Sequence, residues 1–457
     1  MKVVKLATLF LSFLLLTNCG KEDAPENEIP KEQEEPKKEE PKAPETVTYL
    51  KFNSNLDQST DHTDDYIVVH DQNGKLLGHQ SFEKGDNLVF QTMDTSLVGA
   101  TSLTMSVIQT SNFLDTRNHE VQSYTEIEIG SELYPAVPDI VVSKASGNTL
   151  NTFKSTNSRT KSLASKDKGA FNLTVTNTNG VARYAISNDV FGPGKIEFMP
   201  QEIDSLVLND FQLQKDERYL ISLEDLDGNY RYQFFDVPNV DGKIDLDFNT
   251  FLEFDRLLEV TLPSHQSSSG SSLGFNSAEN LYGRSFEMSF HAEQGETENV
   301  RFGYIDSFEY YGTLLYVKVN SEFEYFYTEY GADIPAQIEV IDQPSITISD
   351  NSLVNFQFET AVSYLRSEAV WFYWNQNAND LSISTSWRVH AAPGKQPIIG
   401  KLPEQIVEKH PLFNLEKLTH QKTELMTQGA KYEDYIKTRF GQEASPQERI
   451  IERIILR

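Results

Sequence analysis

Between Thr48 and about Gly394, apolar and polar residues alternate in short runs bounded by Asn, Asp, Gly and Pro, a period of two that predicts β-strands almost throughout. Tyr66-Ile67-Val68-Val69 leads through Asp71-Gln72-Asn73-Gly74 into Lys75-Leu76-Leu77. Asn-Gly between two apolar runs predicts a hairpin, because both residues accept positive φ. Tyr219 to Leu223, then Asp225-Leu226-Asp227-Gly228, then Tyr230 to Phe234 read as the same unit. Aligning the two brings an aromatic residue (Phe82, Phe235), a glycine (Gly85, Gly242) and a further Phe (Phe90, Phe248) into register. That alignment predicts two similar sandwich-like domains, at 48–143 and 144–261.

A Ser/Gly tract from Ser264 to Ser272 breaks the alternation and reads as a linker or a long exposed loop. Beyond it, Tyr310, Tyr316, Phe323, Tyr325 and Tyr327 recur at strand spacing, so a third β unit is expected at 262–399 with that loop at its start. The segment 400–457 differs in kind. Pro403 and Glu404 open a helix that Pro411 ends, and Ile450, Ile451, Ile454 and Ile455 fall on one apolar face of a second short helix. The expected architecture is therefore mainly β: two to three tandem antiparallel β-sandwich-like domains with a small α-helical C-terminal segment capping the third.

Composition fits packed cores, since 28 Phe, 20 Tyr and 3 Trp supply a large buriable area. With 40 Lys+Arg against 68 Asp+Glu the net charge is −28, which speaks against a nucleic-acid partner, whose phosphates bind clustered cations. Nearly all of that charge lies upstream, because the residues after position 400 include ten basic and nine acidic side chains. The single cysteine excludes a disulfide framework and a Cys-based zinc site.

That cysteine sits at a telling place. Residues 1–18 combine Lys2 and Lys5 with an apolar run from Leu6 to Leu16, a secretory signal too short to span a bilayer. The run ends at Leu16-Thr17-Asn18-Cys19-Gly20, which resembles a bacterial lipobox. Lys21-Glu22-Asp23 follows, similar to the charged tag that carries Bacteroidota lipoproteins to the outer face of the outer membrane. The resemblance implies that Cys19 is the acylated N-terminus and that the membrane is a partner through those chains, two or more of which anchor a protein stably. Residues 19–47 form a stalk: positions 21–47 hold five Lys, ten acidic residues and five Pro, too few apolar groups to offset ordering entropy. Fully extended as polyproline, such a stalk reaches roughly 80 Å.

Candidate chemistry in the body is sparse. No Gly-x-Ser-x-Gly or His-Glu-x-x-His occurs, and the nine histidines are scattered. Carboxylate pairs for glycoside hydrolysis are available among 68 acids, but their abundance singles out none. Asp245, Asp247 and Asn249 resemble the opening of a calcium loop, yet Thr250 stands where Gly is needed and Arg256 where the bidentate Glu belongs. No cofactor is implied beyond that weak calcium candidate. Aromatic residues are the remaining lead, because sugar rings stack on flat side chains set in a polar rim. Trp371, Tyr373, Trp374 and Trp387, next to Asn375, Gln376 and Asn377, are the candidate ligand-binding residues.

The reading from residues and resemblance is a lipid-anchored surface protein of the outer membrane with a non-catalytic binding or scaffolding role, capture of a glycan or of an outer-membrane protein. The alternatives are a surface glycosidase with paired carboxylates, or an adhesin.

Overall fold

Asp71 sets the first hairpin: its Oδ1 accepts the backbone N–H groups of Asn73 and Lys75 at 2.8 and 2.9 Å, and Gly74 closes the turn at φ +79°. Asp225 and Gly228, at φ +81°, build a second turn of similar kind, in which Asp225 Oδ1 accepts the N–H of Asn229 at 2.8 Å and Gly228 donates its N–H to Asp225 O. In the computed structural model the described residues are 46–54, 64–93, 97, 100–113, 116–134, 140–146, 149–155, 167–189, 192–197, 204–277, 285–294, 299–376, 382–395, 398–410, 413, 415–441 and 450–457. They are mainly β, and the chain from Thr46 to Arg457 is one compact unit.

Its architecture is a repeat. Strands β1 (Val47–Asn53), β2 (Asp65–Asp71), β3 (Leu76–Phe82), β4 (Asn87–Thr92), β5 (Ser102–Phe113), β6 (Thr116–Glu128) and β7 (Ser131–Leu133) make one sheet in the order β4-β1-β7 and another containing β3-β2-β5-β6. Leu50, Phe52 and Phe90 of the first interlock with Ile67, Val69 and Met105 of the second. A hairpin of β8 (Ile140–Ser146) and β9 (Thr149–Ser155) follows. Seven more strands then repeat the pattern: β10 (Lys168–Thr176), β11 (Arg183–Asn188), β12 (Gly192–Glu197), β13 (Ser205–Gln214), β14 (Arg218–Glu224), β15 (Tyr230–Asp236) and β16 (Gly242–Asp247). Their sheets run β13-β10-β16 and β12-β11-β14-β15, the last extended by β17 (Leu252–Glu253). In both units the first strand is antiparallel to the fourth and parallel to the seventh.

A third unit keeps six of the seven strands. These are β18 (Arg256–Thr261), β19 (Ser267–Phe275), β20 (Phe286–Gln294), β21 (Asn299–Tyr304), β22 (Tyr310–Lys318) and β23 (Phe323–Gly331), paired β21-β18 and β20-β19-β22-β23. A fourth comprises β24 (Ile346–Asp350), β25 (Gln357–Thr360), β26 (Arg366–Gln376), β27 (Ser382–Ala391), helix α1 (Glu404–Lys409), β28 (Thr419–Gln428), helix α2 (Tyr432–Phe440) and β29 (Ile450–Leu456). Its order β27-β26-β28-β29 again matches the larger sheet. Three such sheets join edge to edge into one of twelve strands, through an antiparallel β23–β29 pair and a parallel β27–β6 pair.

Three expectations are corrected. The two hairpins aligned from the sequence are not equivalent, since one joins the second and third strands of its unit and the other the fifth and sixth of the next. The Ser/Gly tract is no linker: from Ser267 it is β19, paired on both sides. Its glycines leave room for rings, because a Cβ on Gly270 would lie 2.8 Å from the Phe302 ring. The isoleucine-rich end is not a helix but β29, inserted between β23 and β28, where both faces are covered and β-branched residues fit the pleat. The expected signal segment, Cys19 and all but the last two residues of the stalk lie at 1–45, outside the described residues.

Candidate functional site

Strand alternation sorts the aromatic run of β26 into two populations. Trp371 faces Trp387 across the β26–β27 pair, and both are 0% exposed. Their indole N–H groups donate to Asn351 O at 2.8 Å and to Ser123 Oγ at 2.9 Å, so each is a satisfied core residue. Neither offers a surface to a ligand, which removes two of the four aromatic candidates. Tyr373 is half-buried beneath the Lys417 ammonium, which lies 5.4 Å from the ring centroid and 3.4 Å from the phenol oxygen.

Trp374 and Phe372 point the opposite way and are 56% and 39% exposed. Phe372, which sequence reasoning passed over, was findable from the same period of two that places Trp374. Pairing register sets their surroundings. Ser384 lies opposite Trp374 and Ser386 opposite Phe372 on β27, and Asn118 and Glu120 of β6 lie beside those serines in turn. Ser384 Oγ donates to Asn118 Oδ1 at 2.7 Å, and Gln122 Nε2 donates to Glu120 Oε1 at 3.1 Å. On the other flank, Thr419 of β28 lies opposite Phe372. Two solvent-facing rings thus stand in a field of hydroxyl, amide and carboxylate groups. The field comes from the first and fourth units, brought side by side by the parallel β27–β6 pair.

The calcium candidates are used otherwise. Asp245 pairs with Lys243 at 2.8 Å. Asp247 Oδ1 accepts Asn177 Nδ2 at 2.9 Å and the N–H of Asn249 at 3.0 Å, starting the short 3-10 turn Phe248–Thr250. These bonds, that from Asn177 foremost, hold the Asp247 carboxyl below its ordinary range. Among the described residues no group of three or more His, Cys, Asp and Glu is placed to hold a metal ion. Burial raises the carboxyl pKa of Glu287 to about 7, the shift a general acid needs. Its strand β20 pairs with β19 between the second and third units, away from the exposed rings.

No family model matches the chain, and no curated protein matches it. Among solved structures, the translocation pore of the P pilus usher (PapC) is similar at 9% identity and a TM-score of 0.12, over 87% of this chain and 66% of that one. The chain thus spans just under two thirds of the usher's length, and at that TM-score the likeness carries no structural argument.

Proposed function

We propose that this is a lipid-anchored protein of the bacterial outer-membrane surface, and that it captures glycans on the face carrying Trp374 and Phe372. The lipobox-like Cys19 and the charged, proline-rich segment behind it support the anchor and the stalk. No helix among the described residues is long and apolar enough to cross a membrane. The observation that carries the binding role is the exposed aromatic pair. An indole 56% exposed on a sheet face leaves apolar surface in water, and a pyranose face covers it while Ser, Asn and Glu side chains alongside meet the hydroxyls.

The test is affinity electrophoresis of the full chain through immobilised polysaccharides. Retardation by at least one polysaccharide, weakened about tenfold (about 1.4 kcal/mol) by Trp374→Ala and largely kept by Trp374→Tyr, is expected for a lost stacking platform. Equal mobility of the wild type in every polysaccharide, with the chain folded, overturns glycan capture and moves the role to adhesion. Release of sugar from the gel matrix moves it to hydrolysis.

A further inference from the structure

Side-chain size is uneven across the face that carries the exposed rings. On β27 the residues turned to this side are Ser384 and Ser386, half-buried between Phe372 and Trp374 of β26 and Asn118 and Glu120 of β6. Small hydroxyls between taller side chains make a shallow trough along β27. Its walls stand two strand spacings apart, about 9.5 Å, room for one sugar chain.

At one end the trough is stopped. The next residue of the row, Arg388, is exposed, but past it His390 and Tyr124 are stacked at 4.8 Å and buried. Helix α2 roofs them, with the Tyr435 ring 5.5 Å from the imidazole and Arg439 donating to Tyr124 Oη at 3.4 Å. From Ser382 to Arg388 the floor is about 20 Å long at the rise of a strand.

The two walls differ in chemistry. One is apolar, and its rings, two residues apart on β26, are spaced about 6.7 Å along the trough, comparable to the repeat of an extended chain of sugars. An equatorially linked chain is extended and stays over both rings, whereas an axially linked one coils away from the strand. The other wall is polar and uncharged except at Glu120. Cations at the closed end already face carboxylates, Arg388 Nη1 lying 3.5 Å from Glu368 and Lys422 bonding Glu424. The Glu120 carboxylate is exposed, so it accepts hydroxyls and repels acidic sugars.

We propose that this trough binds an extended, uncharged, equatorially linked polysaccharide, laid along β27 with successive sugars on Phe372 and Trp374 and their hydroxyls on Ser386, Asn118 and Glu120. The trough is part of the proposed glycan face and rests on that reading, to which it adds ligand class and direction.

Calorimetric titration of the full chain with xylo-, cello- and manno-oligosaccharides of increasing length tests it. Malto-oligosaccharides serve as the axially linked comparison and oligomannuronates as the acidic, equatorially linked one. Binding of at least one of the first three series is expected, its affinity rising with length and levelling off once the oligomer outgrows the floor. Ser386→Trp, which fills the trough and leaves both rings in place, weakens it at least tenfold, and Glu120→Gln, which keeps an acceptor, raises the affinity for oligomannuronate. Tighter binding of either comparison series overturns the proposal while glycan capture stands. So does full affinity for a single sugar, and so does binding that Ser386→Trp leaves intact. A chain that polysaccharides retard but none of the three series binds overturns it in the same way, whereas a chain that no polysaccharide retards overturns both.

Discussion

At the scale of the residue, the third unit shows how small side chains make room for large ones. Gly270 lies under the Phe302 ring, and Gly274 lies closer still under Phe308, with Ser272 between them bonding Gly303 O at 2.7 Å. Gly270→Ala places a methyl 2.8 Å from both that ring and Leu314 O, so a loss of about 1–3 kcal/mol from overpacking is expected in urea denaturation. His119 makes a second residue-level prediction. It is buried, stacked on Phe413 at 5.0 Å with His410 edge-on at 5.3 Å, and burial first, then His410 and Arg117, lowers its pKa to about 4. The folded protein holds it neutral and the unfolded chain does not, so the stability it contributes is intact above pH 6.5 and is lost as pH falls towards 4. The difference is roughly 3 kcal/mol. Urea midpoints measured between pH 7 and 4 should fall accordingly, and less in His119→Gln.

At the scale of the element, legibility followed local chemistry. Hairpins with Asp and Gly turn residues were readable because those turns are built from their own side chains and backbone. Strand β26 was readable as a strand, and helix α1 was readable from Pro403 and Glu404. Strand β19 was not, because serine and glycine signal a linker unless one knows that Phe302 and Phe308 descend onto them. Strand β29 was not, because isoleucines at i, i+1, i+4 and i+5 suit a helical face as well as a strand covered on both sides, and tertiary pairing with β23 and β28 decides. Helix α2 gave little signal, and its docking rests on Tyr432 Oη donating to Thr125 O at 2.7 Å, a contact 307 residues away in sequence. The same holds for the sites. Trp374 was visible, whereas part of its polar rim comes from β6, as the Ser384–Asn118 bond across 266 positions of sequence shows. If β29 is the strand described, its amides exchange as slowly as those of β22 and β26, and Ile454→Ala, a truncation in the closed core, costs about 2–5 kcal/mol. Fast exchange across Ile450–Leu456 would contradict the pairing.

At the scale of the whole molecule, one topology recurs, and the chain consumes its own sheet edges to join the copies. Sixth strands meet at β23–β29, and a third strand meets a sixth at β27–β6, so edges that invite association with other chains are paired internally. Two contacts tie the first seam: Arg457 bonds Glu324, and the Arg453 guanidinium lies 4.3 Å from the Phe326 ring centroid. Beside the second seam stand the exposed rings of β26, and the proposed glycan face draws on both units, since Asn118 and Glu120 of β6 extend the polar rim that Ser384 and Ser386 of β27 begin. Trp374 is the only exposed tryptophan of three, which makes it a direct reporter. The decisive measurement is iodide quenching of tryptophan fluorescence in the full chain, with and without each of a panel of polysaccharides. The account predicts a quenchable fraction that vanishes in Trp374→Phe and that a bound polysaccharide shields in the wild type. Quenching of Trp374 left unchanged by every polysaccharide of the panel would contradict it.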